Sequence, residues 1–348
     1  MNALAQLRTE CARRILLFDG AYGTEFQALG LGEEDYRGTL DLDRHQKGNH
    51  DILALTLPEA VAGVTAAYLA AGADLVSTNT FSANRISQAD YGAEHLVEPI
   101  NVAAARIARG LADEHERRDG RPRFVAGSVG PTNKTLSLSP DVNDPGYREI
   151  DFDTLKAVYR EQVDALLAGG VDFILVETVF DTLNAKAAIM AVREAGNARG
   201  EPVPLMLSMT LTDLSGRNLS GHSVEAFWHS VRHAGPAAVG LNCSFGAAQL
   251  RSHLKALSDT ANTLVLAYPN AGLPNELGCY DEAPHETAAQ ISGWVEAGTI
   301  NIVGGCCGST PAHIAALREL VEGRAPRQVP SRVPVTYLAG LDPMALPL

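Results

Sequence analysis

Eight short apolar runs, each followed by an amphipathic stretch and most ending in a polar or glycine-rich cluster, predict one α/β domain closed as a (β/α)8 TIM barrel. The runs cover 15–18, 74–78, 124–128, 173–177, 205–210, 238–242, 263–267 and 300–303. They are rich in Val, Ile and Leu, as strands of a parallel sheet buried on both faces are. Helical stretches fall at roughly 58–71, 84–117, 152–168, 181–196, 223–234, 247–258, 284–297 and 311–321. Pro58 and Pro311 sit where a first helical turn accepts proline, and Asp181 and Ser223 are N-cap residues. A doubly wound open sheet is the competing arrangement; eight units in one chain favour closure. No short-period repeat or low-complexity tract interrupts the pattern. The barrel is expected over 1–322, and the Pro- and Arg-rich segment 323–348, without periodicity, reads as a C-terminal tail or the start of a linker.

The 348 residues carry a formal net charge of -13. Binding to a phosphate backbone calls for a basic surface, so no nucleic-acid partner is expected. No apolar run approaches the roughly 18 to 20 residues that span a bilayer, and the first residues lack the apolar core of a signal peptide. No membrane partner and a cytoplasmic location are the expectations. The five cysteines, Cys11, Cys243, Cys279, Cys306 and Cys307, are too few and odd in number for a disulfide framework, which favours metal or catalytic use.

All strand C-termini of such a barrel meet at one rim, where active sites form. Cys243 follows the sixth run, and Cys306-Cys307 follow the eighth, among Gly304, Gly305 and Gly308. Consecutive side chains diverge in extended chain, but a glycine-rich turn can aim two adjacent thiols at one ion. Three thiolates suit Zn2+, with a fourth position left for substrate. Buried free cysteines acting as small hydrophobes are the alternative. Cys279 lies in the loop after the seventh run, and Cys11 is expected at the far end. A zinc ion with three thiolates is a weak activator of water. It suits a thiol substrate, which coordination deprotonates and keeps nucleophilic. Asp19 and Glu177 end the first and fourth runs with no Lys or Arg in their motifs. They can hold an ammonium group, or else form an internal hydrogen-bond network. Backbone N–H groups of the glycine-rich turns, Gly20 among them, can receive a carboxylate, and Asn79 and Asn270 can bond around the pocket. His229 and His233 have metal-ligand spacing but fall on an outer helix, where a solvated face is expected. His45 and His50 lie in a loop without a carboxylate motif. Lys134 reads as a rim or surface lysine, and Gly30-Leu31-Gly32 is no dinucleotide fingerprint.

At this point the chain resembles the homocysteine-binding, N-terminal module of cobalamin-dependent methionine synthase, within the homocysteine S-methyltransferase superfamily. The resemblance rests on DGAYGTEFQ (19–27), STNTFSANR (77–85), GSVGPTNKTLSLSP (127–140), VETVFDTLNAKAA (176–188), GLNCSFG (240–246), YPNAGLPN (268–275) and NIVGGCCGSTPAHI (301–314), in the family's order. It implies that Cys243, Cys306 and Cys307 are both catalytic residues and zinc ligands, and that Asp19 and Glu177 lie near homocysteine. It further implies transfer of a methyl group from methylcobalamin to the zinc-bound sulfur, giving methionine and cob(I)alamin, with methyltetrahydrofolate as the resupplying donor. Cobalamin and methyltetrahydrofolate would be bound by missing modules or a separate chain, since the sequence stops where the link to the folate module would begin. His222 stands where relatives are expected to have Gln. Two other readings remain: a self-sufficient methyltransferase using S-methylmethionine or betaine, and a non-catalytic zinc- and homocysteine-binding module.

Overall fold

A computed structural model describes residues 2–331 and 335–346. Eight parallel strands form the barrel: β1 (Leu16–Leu17), β2 (Leu75–Ser77), β3 (Phe124–Val129), β4 (Phe173–Val179), β5 (Leu205–Met209), β6 (Ala238–Gly246), β7 (Leu264–Asn270) and β8 (Ile302–Val303). From β2 to β8 each pairs with its sequence neighbour, and β8 pairs with β1, Leu16 opposite Ile302. A parallel bridge between Phe18 and Leu75 closes the last gap. The helices are α1 (Ala3–Cys11), α2 (Tyr22–Ala28), α3 (Glu33–Arg37), α4 (Leu53–Thr56), α5 (Pro58–Ala71), α6 (Arg85–Gln88), α7 (Val97–Asp119), α8 (Phe152–Gly169), α9 (Thr182–Arg199), α10 (Val224–Val231), α11 (Ala247–Thr260), α12 (Pro284–Glu296) and α13 (Pro311–Val321). Asp181 and Ser223 cap α9 and α10 through their side chains, and Pro58 and Pro311 open α5 and α13. No single described helix is long and apolar enough to cross a membrane.

The pleat sorts the strand residues into two cores. Leu17, Val76, Val125, Ile174, Leu207, Val239, Val265 and Val303 pack outward against the helices. Leu16, Leu75, Phe124, Phe173, Met206, Ala238, Leu264 and Ile302 fill the barrel, where the Phe124 and Phe173 rings meet edge-on with centroids 5.9 Å apart. Leu7 and Cys11 of α1 join this inner cluster. The helix therefore plugs the end of the barrel away from the strand C-termini, and Cys11 is a packed core residue there.

Four features depart from the sequence reading. The helix expected over 84–117 is interrupted, because Gly92 at φ +65 cannot continue α6 and the chain restarts at Val97. The segment before α4 forms a strap along the rim: Gln46, Asn49 and Gln88 are fully or almost fully buried and share side-chain hydrogen bonds, Asn49 and Gln88 exchanging two at 2.9 and 3.1 Å. Within 323–348, residues Thr336–Ala339 (β9) and Pro343–Leu346 (β10) form an antiparallel hairpin against α10. His229 is consequently not on a solvated face; its ring stacks on Tyr337 with centroids 3.9 Å apart, and Arg232 lies over the same Tyr337 ring. His233 is exposed, as expected.

Replacing Phe173 with Ala should cost about 3–5 kcal/mol in urea unfolding, because it empties the barrel interior. Tyr337→Ala, on the half-exposed hairpin, should cost only about 1 kcal/mol.

Candidate active site

The inward-facing row of each strand turns polar as it reaches the C-terminal rim. Two residues beyond Ala126, Leu175, Met206, Gly240 and Leu266 stand Ser128, Glu177, Ser208, Asn242 and Tyr268, all buried. Above them opens a cavity of about 930 Å3 lined by Asp19, Gly20, Asn79, Glu177, Cys243, Cys306 and Cys307, and by the strap residues His50 and Asp51. Among the described residues lining it there is no Lys or Arg.

Cys243 is delivered by a break in β6. The β6–β7 register shifts between Asn242 and Gly246, and Cys243 and Ser244 take left-handed conformations at φ +60 and +59. Such angles are strained for residues with a Cβ and cluster at functional sites. Cys306 and Cys307 are fixed by backbone bonds to β7: Cys306 N–H donates to the Pro269 carbonyl at 2.8 Å, and Ala271 N–H donates to the Cys307 carbonyl at 2.9 Å. Gly304 is required for closeness; a Cβ there would lie 2.7 Å from the Asp19 carbonyl oxygen.

The three sulfurs lie within 4.8 Å of one another, with Cys243–Cys307 at 3.9 Å and Cys306–Cys307 at 4.0 Å. Tetrahedral thiolates about 2.3 Å from zinc stand roughly 3.8 Å apart, so the triad fits the ion. Hydrogen bonds from the Cys243 and Cys306 thiols hold Cys307 well below the ordinary thiol range, to about 3, while those two partners are pushed up. Of the three, Cys307 is therefore the first to ionise, and a bound cation would displace the remaining protons. Between the two backbone bonds to the cysteines sits Asn270, whose buried Oδ1 has no hydrogen-bond partner. Asn270 does not line the cavity, but its orphaned oxygen, flanked in the chain by residues bonded to both cysteines, is a natural contact for what occupies the fourth position. Cys279 lines the cavity but is exposed and outside the triad.

Asp19 and Glu177 both reach the cavity without an ion-pair partner among the described residues. The Asp19 carboxylate accepts from Ser77 N–H at 2.6 Å and Ser77 Oγ–H at 2.9 Å. Burial pushes it up to about 8, against the pull of those bonds. Glu177 accepts from Ser128 Oγ–H at 2.5 Å and from the Tyr268 hydroxyl at 3.2 Å. Burial raises it to about 7, and the Cys307 charge adds to the rise. Gly20 lies in close quarters, where a Cβ would stand 2.8 Å from Tyr68. Asn79 spends its amide on the strap, donating to the His50 carbonyl at 2.7 Å.

Sequence reasoning missed several residues. Ser128, Tyr268 and Asn242 were findable by continuing the inward period of two. Asp51, pushed up to about 7 by burial, and Tyr280, beside Cys307, come from loops without periodicity. His222 does not line the cavity; it bonds Thr182 and Ser220. Lys134 pairs with Glu149 at the surface.

Solved structures of a homocysteine methyltransferase, MmuM from Escherichia coli, share this architecture. Its metallated form superposes with a TM-score of 0.70 at 25% identity, over 90% of this chain and 99% of that one. The oxidised form gives 0.68 at 24%, over 88% and 95%. The family model for homocysteine S-methyltransferase matches residues 16–321, from β1 to the end of α13 and including every rim residue described above. The chain belongs to the homocysteine S-methyltransferase family.

Proposed function

We propose that this chain methylates the sulfur of homocysteine, with Zn2+ held by Cys243, Cys306 and Cys307 and the methyl group brought by methylcobalamin on a separate chain or module that also binds methyltetrahydrofolate. The observation that carries this reading is the convergence of three thiols at zinc spacing with two buried carboxylates that no cation neutralises. Zinc, when bound, keeps a coordinated thiol deprotonated and nucleophilic at neutral pH.

The protein's own residues do the rest. Glu177 and Asp19 take the substrate ammonium; in the empty site burial favours their protonated forms, so a cation binds as they ionise. Ser128, Tyr268 and Ser77 hold the two carboxylates in place through hydrogen bonds. With no Lys or Arg on the wall, backbone N–H groups of turns such as that at Gly20, with the second N–H of the Asn79 amide beside the one bonded to His50, receive the substrate carboxylate. The sulfur, anchored at one end, then attacks the methyl carbon. The bond from the donor to that carbon breaks, and its electron pair stays on the donor. A cavity of about 930 Å3 far exceeds homocysteine and leaves the sulfur open from above, as a large donor requires.

A second reading, a self-sufficient enzyme using S-methylmethionine or betaine, draws support from the charge of that cavity. Asp51 and Asp90 add two further carboxylates to its wall, and such donors carry a positive sulfonium or quaternary ammonium centre. The two readings part in one assay. The isolated zinc-loaded chain should form methionine from homocysteine with exogenous methylcobalamin, and not with the small cationic donors; the opposite result selects the second reading.

Cys307→Ala should lose stoichiometric zinc by elemental analysis, and a variant that keeps it overturns the ligand set. The carboxylates give a pH signature. Their ionised forms bind the ammonium, and their pKa values lie near 7 and 8. Homocysteine affinity should therefore weaken as pH falls from 8 to 6, by up to about tenfold per unit for each group that must ionise. Glu177→Gln should bind at least about tenfold more weakly at pH 8 and show a shallower pH dependence in calorimetric titrations.

A further inference from the structure

We infer that Asn242 is a positioning residue that couples the zinc-binding thiol of Cys243 to the ammonium-binding carboxylate of Glu177, and so sets the length of amino thiol the site accepts. The inference rests on the proposed homocysteine reading. Two strands deform at the rim, and they deform together. In β4 the register against β5 shifts between Val176 and Val179, and Thr178 sits at φ +55. For a β-branched residue that angle is a genuine outlier. In β6 the register against β7 shifts just after Asn242, where Cys243 and Ser244 are also left-handed. These three are the non-glycine residues with positive φ among the described residues.

The Asn242 side chain joins the two breaks across β5. Its Oδ1 accepts from Thr178 N–H at 3.1 Å and from Ser208 Oγ–H at 2.6 Å, and its Nδ2 donates to Thr178 Oγ1 at 2.8 Å. The shift in β4 takes the Thr178 N–H out of the strand ladder, so this carboxamide satisfies a group that would otherwise be orphaned. Asn242 is 1% exposed and does not line the cavity. It therefore acts through its neighbours: the residue after it is Cys243, and the residue before its partner Thr178 is Glu177. A single amide thus fixes the separation between the metal end and the carboxylate end of the site. Homocysteine differs from cysteine by one methylene between sulfur and the ammonium-bearing carbon, which is the dimension that separation reads.

The test is optical titration of the full chain loaded with Co2+ in place of zinc, with homocysteine and with cysteine. Wild type should favour homocysteine strongly. Asn242→Ala should keep one bound cobalt per chain yet lose about tenfold or more of that preference, through weaker homocysteine binding. Thr178→Val, which removes the Oγ1 acceptor, should cause a similar loss, and the double variant should be no worse than the more affected single one. Asn301→Ala serves as a control, since it breaks buried hydrogen bonds to Val265 and Arg327 at the opposite end of the barrel. It should lower the melting temperature without moving the preference. An unchanged preference in Asn242→Ala, additive effects in the double variant, or an equal loss in Asn301→Ala overturns the inference. If Asn242→Ala fails to fold or to hold cobalt, Thr178→Val alone decides by the same preference. Wild type that binds cobalt but shows no spectral response to homocysteine overturns the homocysteine reading itself, a result distinct from a well-bound but unaltered Asn242→Ala.

Discussion

The structure depends on closure of the parallel sheet. Because β8 pairs with β1 and Phe18 bridges Leu75, no strand edge is left within the barrel and all eight C-terminal ends face one rim. Closure also gives each strand an inward row, and that row must change character along its length. Deep in the barrel, Phe124, Phe173 and Leu264 fill space against the α1 plug. Four residues on, the same rows carry Ser128, Glu177 and Tyr268. The apolar layer is thus the floor of the polar one, and it excludes water from beneath the carboxylates.

That floor explains the electrostatics of the rim. Asp19 and Glu177 are raised chiefly because they are buried, and each is steadied by hydroxyl or backbone donors rather than by a cation. A lysine or arginine in their place in the network would have lowered both values and filled the charge a ligand is meant to supply. The same economy holds at the sulfurs, where one thiolate is supported by its two thiol neighbours.

Much of this was legible in the sequence, for a physical reason. Strand cores are specified by local apolar runs, so all eight strands begin within two residues of the expected positions, while β6 and β7 run four and three residues further than expected, and rim position followed for Cys243, Cys306, Cys307, Asp19 and Glu177. What was not legible depends on long-range or conformational information. The rim strap is held by carboxamides far apart in sequence, Gln46 and Asn49 with Gln88, which leave no periodic trace. The hairpin over α10 stacks Tyr337 on His229, and so changes the meaning of a histidine that helical spacing alone leaves in solvent. The left-handed turns at Thr178 and Cys243 are invisible because neither is a residue type that advertises them.

These hidden turns bear on how the site is charged. Three thiolates and four carboxylates around one cavity cannot all be ionised without cations, and the protein places no Lys or Arg on the described wall. The charge must come with the ligands. With zinc bound, the thiolate cluster still carries roughly -1, and the carboxylates call for an ammonium nearby. The two demands are met by one molecule only if its sulfur and nitrogen are separated by the distance between Cys243 and Glu177. In the proposed reading, the hydrogen bonds that tie Asn242 to Thr178 hold that distance against mutual repulsion of the two anionic ends. On this view the strained backbone is the ruler of the site, and its cost is balanced by the hydrogen bonds of Asn242 rather than by the substrate.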